Sequence, residues 1–241
     1  MMAVLLDVGG TIWPDAWPSQ GLDDPPRVAR LQRVLPELTA ATANGLVEAL
    51  RRALVPFEGA LLQDTDAAIA EGMRRSGLPN QPGLVIHVRR AMCVPAAGRI
   101  DLFPGARALL KRIRELGMTC AVVSNAGVRD CDDYRRDFTD LGISGEIDAI
   151  VTSVETGYRK PHPKIFEAAL VAAGCPAAHC VMIGNSERND VAPALALGMR
   201  AVRVAIEEDQ PAESAAHAVA TSLDQITALL TEWAIAAASG G

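Results

Sequence analysis

Five short apolar runs, each ending in polar or glycine residues, constrain this 241-residue chain more than any other feature. They are Ala3–Val8, Thr119–Val123, Ala149–Ser153, Cys180–Ile183 and Ala201–Ile206. Largely apolar runs of this length, bounded by turn formers, suit strands covered on both faces. Amphipathic stretches lie between them. Pro104–Leu116 stops at Gly117, Pro163–Ala173 at Gly174, and Asp190–Leu197 before Gly198, each glycine a natural helix stop. Strand and helix alternating through short links predict an α/β fold with a Rossmann-like, doubly wound parallel sheet. Ligands of such sheets sit beyond the carboxyl ends of the strands. Asp7, Ser124 and Asn185 fall at those ends.

About ninety residues separate the first two runs, far more than a crossover needs. Residues 13–100 carry helical stretches (Val28–Val34, Ala40–Leu54, Asp64–Arg75, Leu84–Met92) and no strand series. They predict a small all-helical cap inserted in a core made of residues 1–12 and 101–241. Trp13-Pro14 and Pro95-Ala96-Ala97-Gly98 read as its hinges, with Trp13 and Trp17 as packing anchors. The small residues after Trp233 are expected to fray. With 49% apolar and 22% charged residues the chain can bury a core, which excludes a wholly disordered protein.

A net charge of −6 gives no electrostatic footprint for nucleic acid. No run approaches the ~18–20 apolar residues of a membrane span. The N-terminal residues lack a basic n-region, so no signal peptide is expected. Five cysteines without CxxC pairs or Cys/His spacing read as reduced thiols of a cytoplasmic protein, not as a zinc site. A monomer and a homodimer are both compatible with the sequence, the apolar cap stretches allowing the dimer.

Four pieces stand in order: Asp7-Val8-Gly9-Gly10-Thr11 after the first run, Ser124-Asn125 after the second, Lys160-Pro161-His162-Pro163, and Gly184-Asn185-Ser186-Glu187-Arg188-Asn189-Asp190 after the fourth. A carboxylate such as Asp7 is a competent nucleophile toward phosphorus or activated carbon, giving an aspartyl intermediate that water opens. Glycines behind it let backbone N–H groups approach an anion. Ser124 can both cap a following helix and bond a transferring group's oxygen. Lys160 supplies positive charge.

This ordered set, with a helical insertion after its first member, resembles the haloacid dehalogenase superfamily over essentially the whole chain. It is similar to the subgroup whose cap stands between the first motif and the serine motif. The resemblance implies a hydrolase of small phosphorylated or otherwise anionic metabolites, with Asp7, Ser124 and Lys160 catalytic and Gly10, Thr11 and Asn125 binding substrate. It further implies a magnesium ion on Asp7, the Gly9 carbonyl, Asn185 and Asp190. Asp190 is equally readable as a structural acid holding Lys160, and Asn185 as a loop former.

Two positions depart from the phosphatase pattern. The residue two after the nucleophile is normally an aspartate that protonates the leaving group; here it is Gly9. The fourth motif normally places a metal-binding aspartate where Asn185 stands, a loss that weakens magnesium binding and that Glu187 is available to replace in part. Missing the acid costs ~10²–10⁴ in rate for poor leaving groups, least for aryl and acyl phosphates.

The same departures open a metal-independent, dehalogenase-type displacement, because halide leaves without a proton. They also open a degenerate protein that binds a phospholigand or partner without turnover. A phosphonate-cleaving enzyme would need a cap lysine, and the lysines are Lys111, Lys160 and Lys164, all outside residues 13–100. A phosphomutase would need the missing acid. The cap pairs Arg51-Arg52, Arg74-Arg75 and Arg89-Arg90 are expected on solvated faces, with one available to meet an anionic substrate. His87 reads as a partly buried or surface histidine of the cap and not as a proton donor, and His162 and His179 read as structural.

Overall fold

A computed structural model describes residues 2–14, 25–54, 60–96, 98–209 and 211–239. Trp17 and Ala97 lie outside the described residues. The chain runs through β1 (Ala3–Leu6), α1 (Pro25–Val34), α2 (Ala40–Leu54), α3 (Thr65–Arg75), α4 (Pro82–Met92) and α5 (Ala106–Glu115). It continues through β2 (Thr119–Ser124), α6 (Cys131–Asp140), β3 (Ala149–Thr152), α7 (Ser153–Thr156), α8 (Pro163–Ala173) and β4 (Cys180–Gly184). It ends with α9 (Ala192–Ala196), β5 (Arg200–Val204), β6 (Ala218–Ala220) and α10 (Leu223–Ser239).

The six strands form one parallel sheet in the order β3-β2-β1-β4-β5-β6. Alternation along β1 explains why its apolar run is unbroken. Val4 and Leu6 pack with Leu109, Ile113 and Phe138 on one face, while Ala3 and Leu5 pack with Ile165, Phe166 and Ala169 on the other. All four β1 residues are fully buried. The strand order reverses at β1, which pairs with β2 on one side and β4 on the other. The crevice at such a switch point is where α/β sheets bind ligands.

Helices α1–α4 share their own apolar cluster, built on Leu31, Leu46, Leu50, Ile69, Met73 and Val88. Polar contacts fasten them to the segment after β2. Gln63 donates to the Ala126 carbonyl (2.9 Å), and Arg89 donates to Asp66 (2.8 Å), Asp130 (3.0 Å) and the Val128 carbonyl (3.1 Å). Arg89 is therefore buried, against the expectation that the arginine pairs sit on solvated faces. Burial alone would raise the Asp130 carboxyl, but the Asp133 N–H and Arg89 hold it below the usual range. Its contribution to stability is thus present above the ordinary carboxylate pKa, near 4, and is lost as pH falls through the lower folded value. Arg89→Met leaves Asp130 its bond from the Asp133 N–H and, among the described residues, Arg90 at 3.6 Å as the remaining cation. Thermal or urea unfolding at pH 7 is expected to show a loss of about 3 kcal/mol. That loss should shrink in acid, and equal stability of the two chains at pH 7 would sink the assignment.

Four local differences from expectation have physical causes. The three-residue edge strand β6 carries no apolar run. Residues Glu187–Val191 form a π-helical turn before α9, in which the Val191 N–H reaches the Ser186 carbonyl and the Ala192 N–H the Glu187 carbonyl. Helix α10 extends to Ser239 beyond the point where fraying was expected; Trp233 is held 4.8 Å from the Arg200 guanidinium. Ser124 does not cap α6, whose N-cap is Asp130, paired reciprocally with Asp133.

Candidate active site

Asp7 stands one residue beyond β1, its N–H still bonded to the Ile183 carbonyl (2.9 Å), so the sheet's centre fixes its backbone. Asp7 is buried, with its side chain 12% exposed. Oδ1 accepts from Lys160 Nζ at 2.7 Å, while Thr11 Oγ1 stands 3.4 Å from Oδ2. Lys160 Nζ also donates to Asp190 Oδ1 at 2.6 Å. One ammonium thus bridges two carboxylates. Asp190 Oδ2 accepts from Ser186 N–H at 3.0 Å, a contact the π-helical turn makes possible.

Burial pushes the Asp190 carboxyl up to about 6, with the Asp7 charge adding and Lys160 opposing. Burial alone would lower Lys160, yet the charges of Asp190 and Asp7 hold it above its ordinary value. Both shifts have one origin, two acids sharing one cation away from water. Gly184 makes room for the arrangement: a Cβ there would lie 2.4 Å from Asp190 Cγ.

Asn125 holds the lysine from behind. Its Oδ1 accepts from Lys160 N–H (2.6 Å) and its Nδ2 donates to the Lys160 carbonyl (2.9 Å). Ser124 Oγ lies 2.7 Å from Tyr134 Oη. Trp13 stacks on Tyr134 with ring centroids 6.1 Å apart, and burial pushes the Tyr134 hydroxyl up.

A cavity of about 640 Å³ opens over these groups. Asp7, Gly9, Ser124, Asn125, Lys160, Asn185 and Asp190 all line it. Gly10 and Thr11 do not, because their N–H groups are taken by the Trp13 (2.7 Å) and Val8 (3.1 Å) carbonyls in the turn after β1. Glu187 turns away to Ser214 Oγ (2.6 Å) and the Ala215 N–H (3.1 Å), so it does not stand in for the acid missing at Asn185. His87 and His179 are exposed, and His162 accepts from the Lys164 N–H at the start of α8.

Sequence reasoning missed Arg27, Arg129 and Tyr134, which also line the cavity. Arg129 and Tyr134 follow Ser124 within ten residues, a proximity that could have flagged them. Arg27 has no local signal, since it arrives through the packing of α1 on α4 and donates to the Met92 carbonyl at 2.8 Å.

A carboxylate at the end of the central strand, a lysine bridging it to a second acid in the turn after β4, and a serine at the end of β2 meet over one cavity on a doubly wound sheet. The chain belongs to the haloacid dehalogenase-like hydrolase family, whose sequence model matches residues 1–198. Among curated relatives, it is 34% identical over 106 residues to the phosphoserine phosphatase of Thermus thermophilus, covering 44% of this chain and 41% of that protein. It is 35% identical over 103 residues to the glyceraldehyde 3-phosphate phosphatase of Methanothermobacter thermautotrophicus, covering 42% and 44%. The chain thus spans less than half the length of these curated relatives.

Among solved structures, a HAD phosphatase from Thermococcus onnurineus superposes with a TM-score of 0.60 at 22% identity, over 95% of this chain and 98% of that one. A 2-haloacid dehalogenase from Pseudomonas syringae pv. Tomato gives 0.65 at 20% identity, over 97% and 100%. Both establish the fold. No helix among the described residues is long and apolar enough to cross a membrane.

Proposed function

We propose that the chain is a phosphatase-type hydrolase of small phosphorylated metabolites, acting through an aspartyl-phosphate on Asp7. The observation that carries the reading is the state of the Asp7 carboxylate: Oδ1 is held by Lys160, and Oδ2 meets only the Thr11 hydroxyl at 3.4 Å among the described residues. Asp7 Oδ2 attacks phosphorus, the bond to the ester oxygen breaks, and that oxygen takes its proton from solvent because Gly9 has no side chain to give one. Water then attacks the phosphorus of the acyl phosphate, releasing phosphate and restoring the carboxylate. Lys160 balances charge on the phosphoryl oxygens, and the Ser124 hydroxyl donates a hydrogen bond to one of them. The phosphatase names of the curated relatives support the same chemistry.

The donors around Asp7 are all oxygens (two carboxylates, the Asn185 amide and the Gly9 carbonyl), which suits magnesium in kind. Among the described residues there is no group of three or more acidic, histidine or cysteine side chains that would hold a metal unaided. Asp7, Gly9, Asn185 and Asp190 would hold the ion together with water and substrate. When bound it supplies positive charge against the phosphoryl oxygens. Residues 13–100 act as the cap: α1, α2 and α4 face the cavity through Arg27, Arg51 and Met92, and their seating excludes bulk water and selects substrate.

The test is phosphate release from a panel of phosphomonoesters and acyl phosphates, with magnesium and with chelator. Release is expected to need both magnesium and Asp7, falling at least ~10³-fold in Asp7→Asn, and to be fastest for aryl and acyl phosphates. Gly9 also favours a second reading, metal-independent displacement at carbon. Halide release that persists in chelator, with no phosphate from any ester, would replace the first reading by that one. Ligand-induced stabilisation surviving Asp7→Asn without any product would replace both by a binding role.

A further inference from the structure

The cavity wall holds a phenol that takes no part in the displacement itself. Tyr134 lines the cavity together with Ser124, and both residues are buried. Their hydroxyl oxygens lie 2.7 Å apart, and among the described residues this is the hydrogen bond that Tyr134 Oη makes. Both partners are fixed through their backbones. Ser124 ends β2 in register with Thr152 of β3, and Tyr134 stands in the first turn of α6 with its N–H on the Asp130 carbonyl at 3.1 Å. The ring is held as well. Trp13 stacks on it at 6.1 Å, Phe138 packs against it at 5.5 Å, and the Arg129 guanidinium lies 5.3 Å from its centroid.

The distance permits either hydroxyl to donate, and acidity decides between them. A phenol is a stronger acid than an alcohol and so the better donor, while a serine hydroxyl offers two lone pairs beside its one proton. Burial keeps the Tyr134 hydroxyl protonated at neutral pH, so it has a proton to give. With Tyr134 donating, Ser124 Oγ accepts on one lone pair and its own proton is left for the cavity. Hydrogen bonds in a chain polarise one another, so donation into Ser124 strengthens donation from it.

We infer that Tyr134 is a positioning residue, which turns the Ser124 proton toward the phosphoryl oxygens of a bound substrate. A hydroxyl otherwise free to rotate becomes a directed donor, set before charge develops on those oxygens. As a statement about turnover this rests on the phosphatase reading of Asp7. Its effect on anion binding can be measured apart from turnover.

The test is a double-mutant cycle on the full chain with Tyr134→Phe, Ser124→Ala and both together. It is read by phosphate release from para-nitrophenyl phosphate with magnesium and by calorimetric binding of inorganic phosphate. Phenylalanine keeps the ring packing, so the melting temperature is expected to fall by no more than about 2–4 °C, the worth of one hydrogen bond. Tyr134→Phe is expected to lower kcat/KM and phosphate affinity by about three- to tenfold each. It should change neither when Ser124 is already alanine. A rate unchanged or raised in Tyr134→Phe would show that Ser124 donates to the phenol, and would overturn the inference. So would an equal loss on the Ser124→Ala background, the result of a loosened site or of a phenol acting on substrate directly. Absence of phosphate binding by the unaltered chain would overturn it too. Phosphate binding that obeys the cycle, with no phosphate released from any ester, would keep the positioning role and discard the phosphatase.

Discussion

Lys160→Met is expected to abolish turnover and destabilise the chain at the same time, because one ammonium serves two buried carboxylates. Lys160 Nζ lies 2.7 Å from Asp7 and 2.6 Å from Asp190, and its side chain is 2% exposed. Methionine fills a similar volume but leaves two acids facing each other without a cation. Breaking a buried pair by removing one partner costs about 3–5 kcal/mol, most of it from the charge left behind. Loss of the positive charge nearest the developing phosphoryl charge adds a rate loss of ~10²–10³ or more. Denaturant unfolding at pH 7.5 and phosphate release measure the two effects. The double variant Lys160→Met with Asp190→Asn separates them, because it removes one orphaned charge and should recover part of the stability but none of the activity. Wild-type stability in the single variant would contradict the bridge.

Gly184→Ala should rank second, through collision with Asp190. The added Cβ would fall 2.4 Å from Asp190 Cγ and 2.6 Å from Oδ2, distances no packed structure tolerates. Asp190 has nowhere convenient to go, because Oδ1 is held by Lys160 and Oδ2 by the Ser186 N–H. Either the carboxylate gives up both bonds, or the end of β4 shifts against β1. A small-to-large change in a filled interior costs about 1–3 kcal/mol. A displacement near 1 Å in a catalytic constellation costs on the order of 10²-fold in kcat/KM. Gly45→Ala in α2 is the control, since its Cβ meets nothing within 4 Å. Activity in Gly184→Ala equal to that of the control would show that Asp190 does not need its present position.

The sheet was legible because both of its faces are covered, which forces continuous apolar runs such as Val181–Ile183 and places each polar end at a predictable rim. Asp7, Ser124 and Asn185 could be located by that rule alone. β6 was not legible: Ala218-Val219-Ala220 is an edge segment with its middle residue 39% exposed, too short and mixed to stand out. The directions of side chains in loops were also hidden. Glu187 is drawn to Ser214, twenty-seven residues away, and Gly10 closes its turn on Trp13, neither of which follows from spacing. The arginines of the cavity wall required the packing of α1 and α2 to be known, and a basic residue on an amphipathic helix reads as solvated until then.

The attachment of Asp7 has a consequence for how stability is distributed. Asp7 emerges from a strand buried along its whole length and keeps its backbone bond to β4, so it can be released only when the sheet itself opens. The arginine-bearing helices meet the rest of the chain through hydrogen bonds and ion pairs around Gln63 and Arg89, contacts that sub-global opening can break while the sheet persists. Two free-energy scales therefore coexist in one chain. Substitutions that loosen or retune the wall above the cavity can accumulate without drawing on the stability that keeps the Asp7 carboxylate in register.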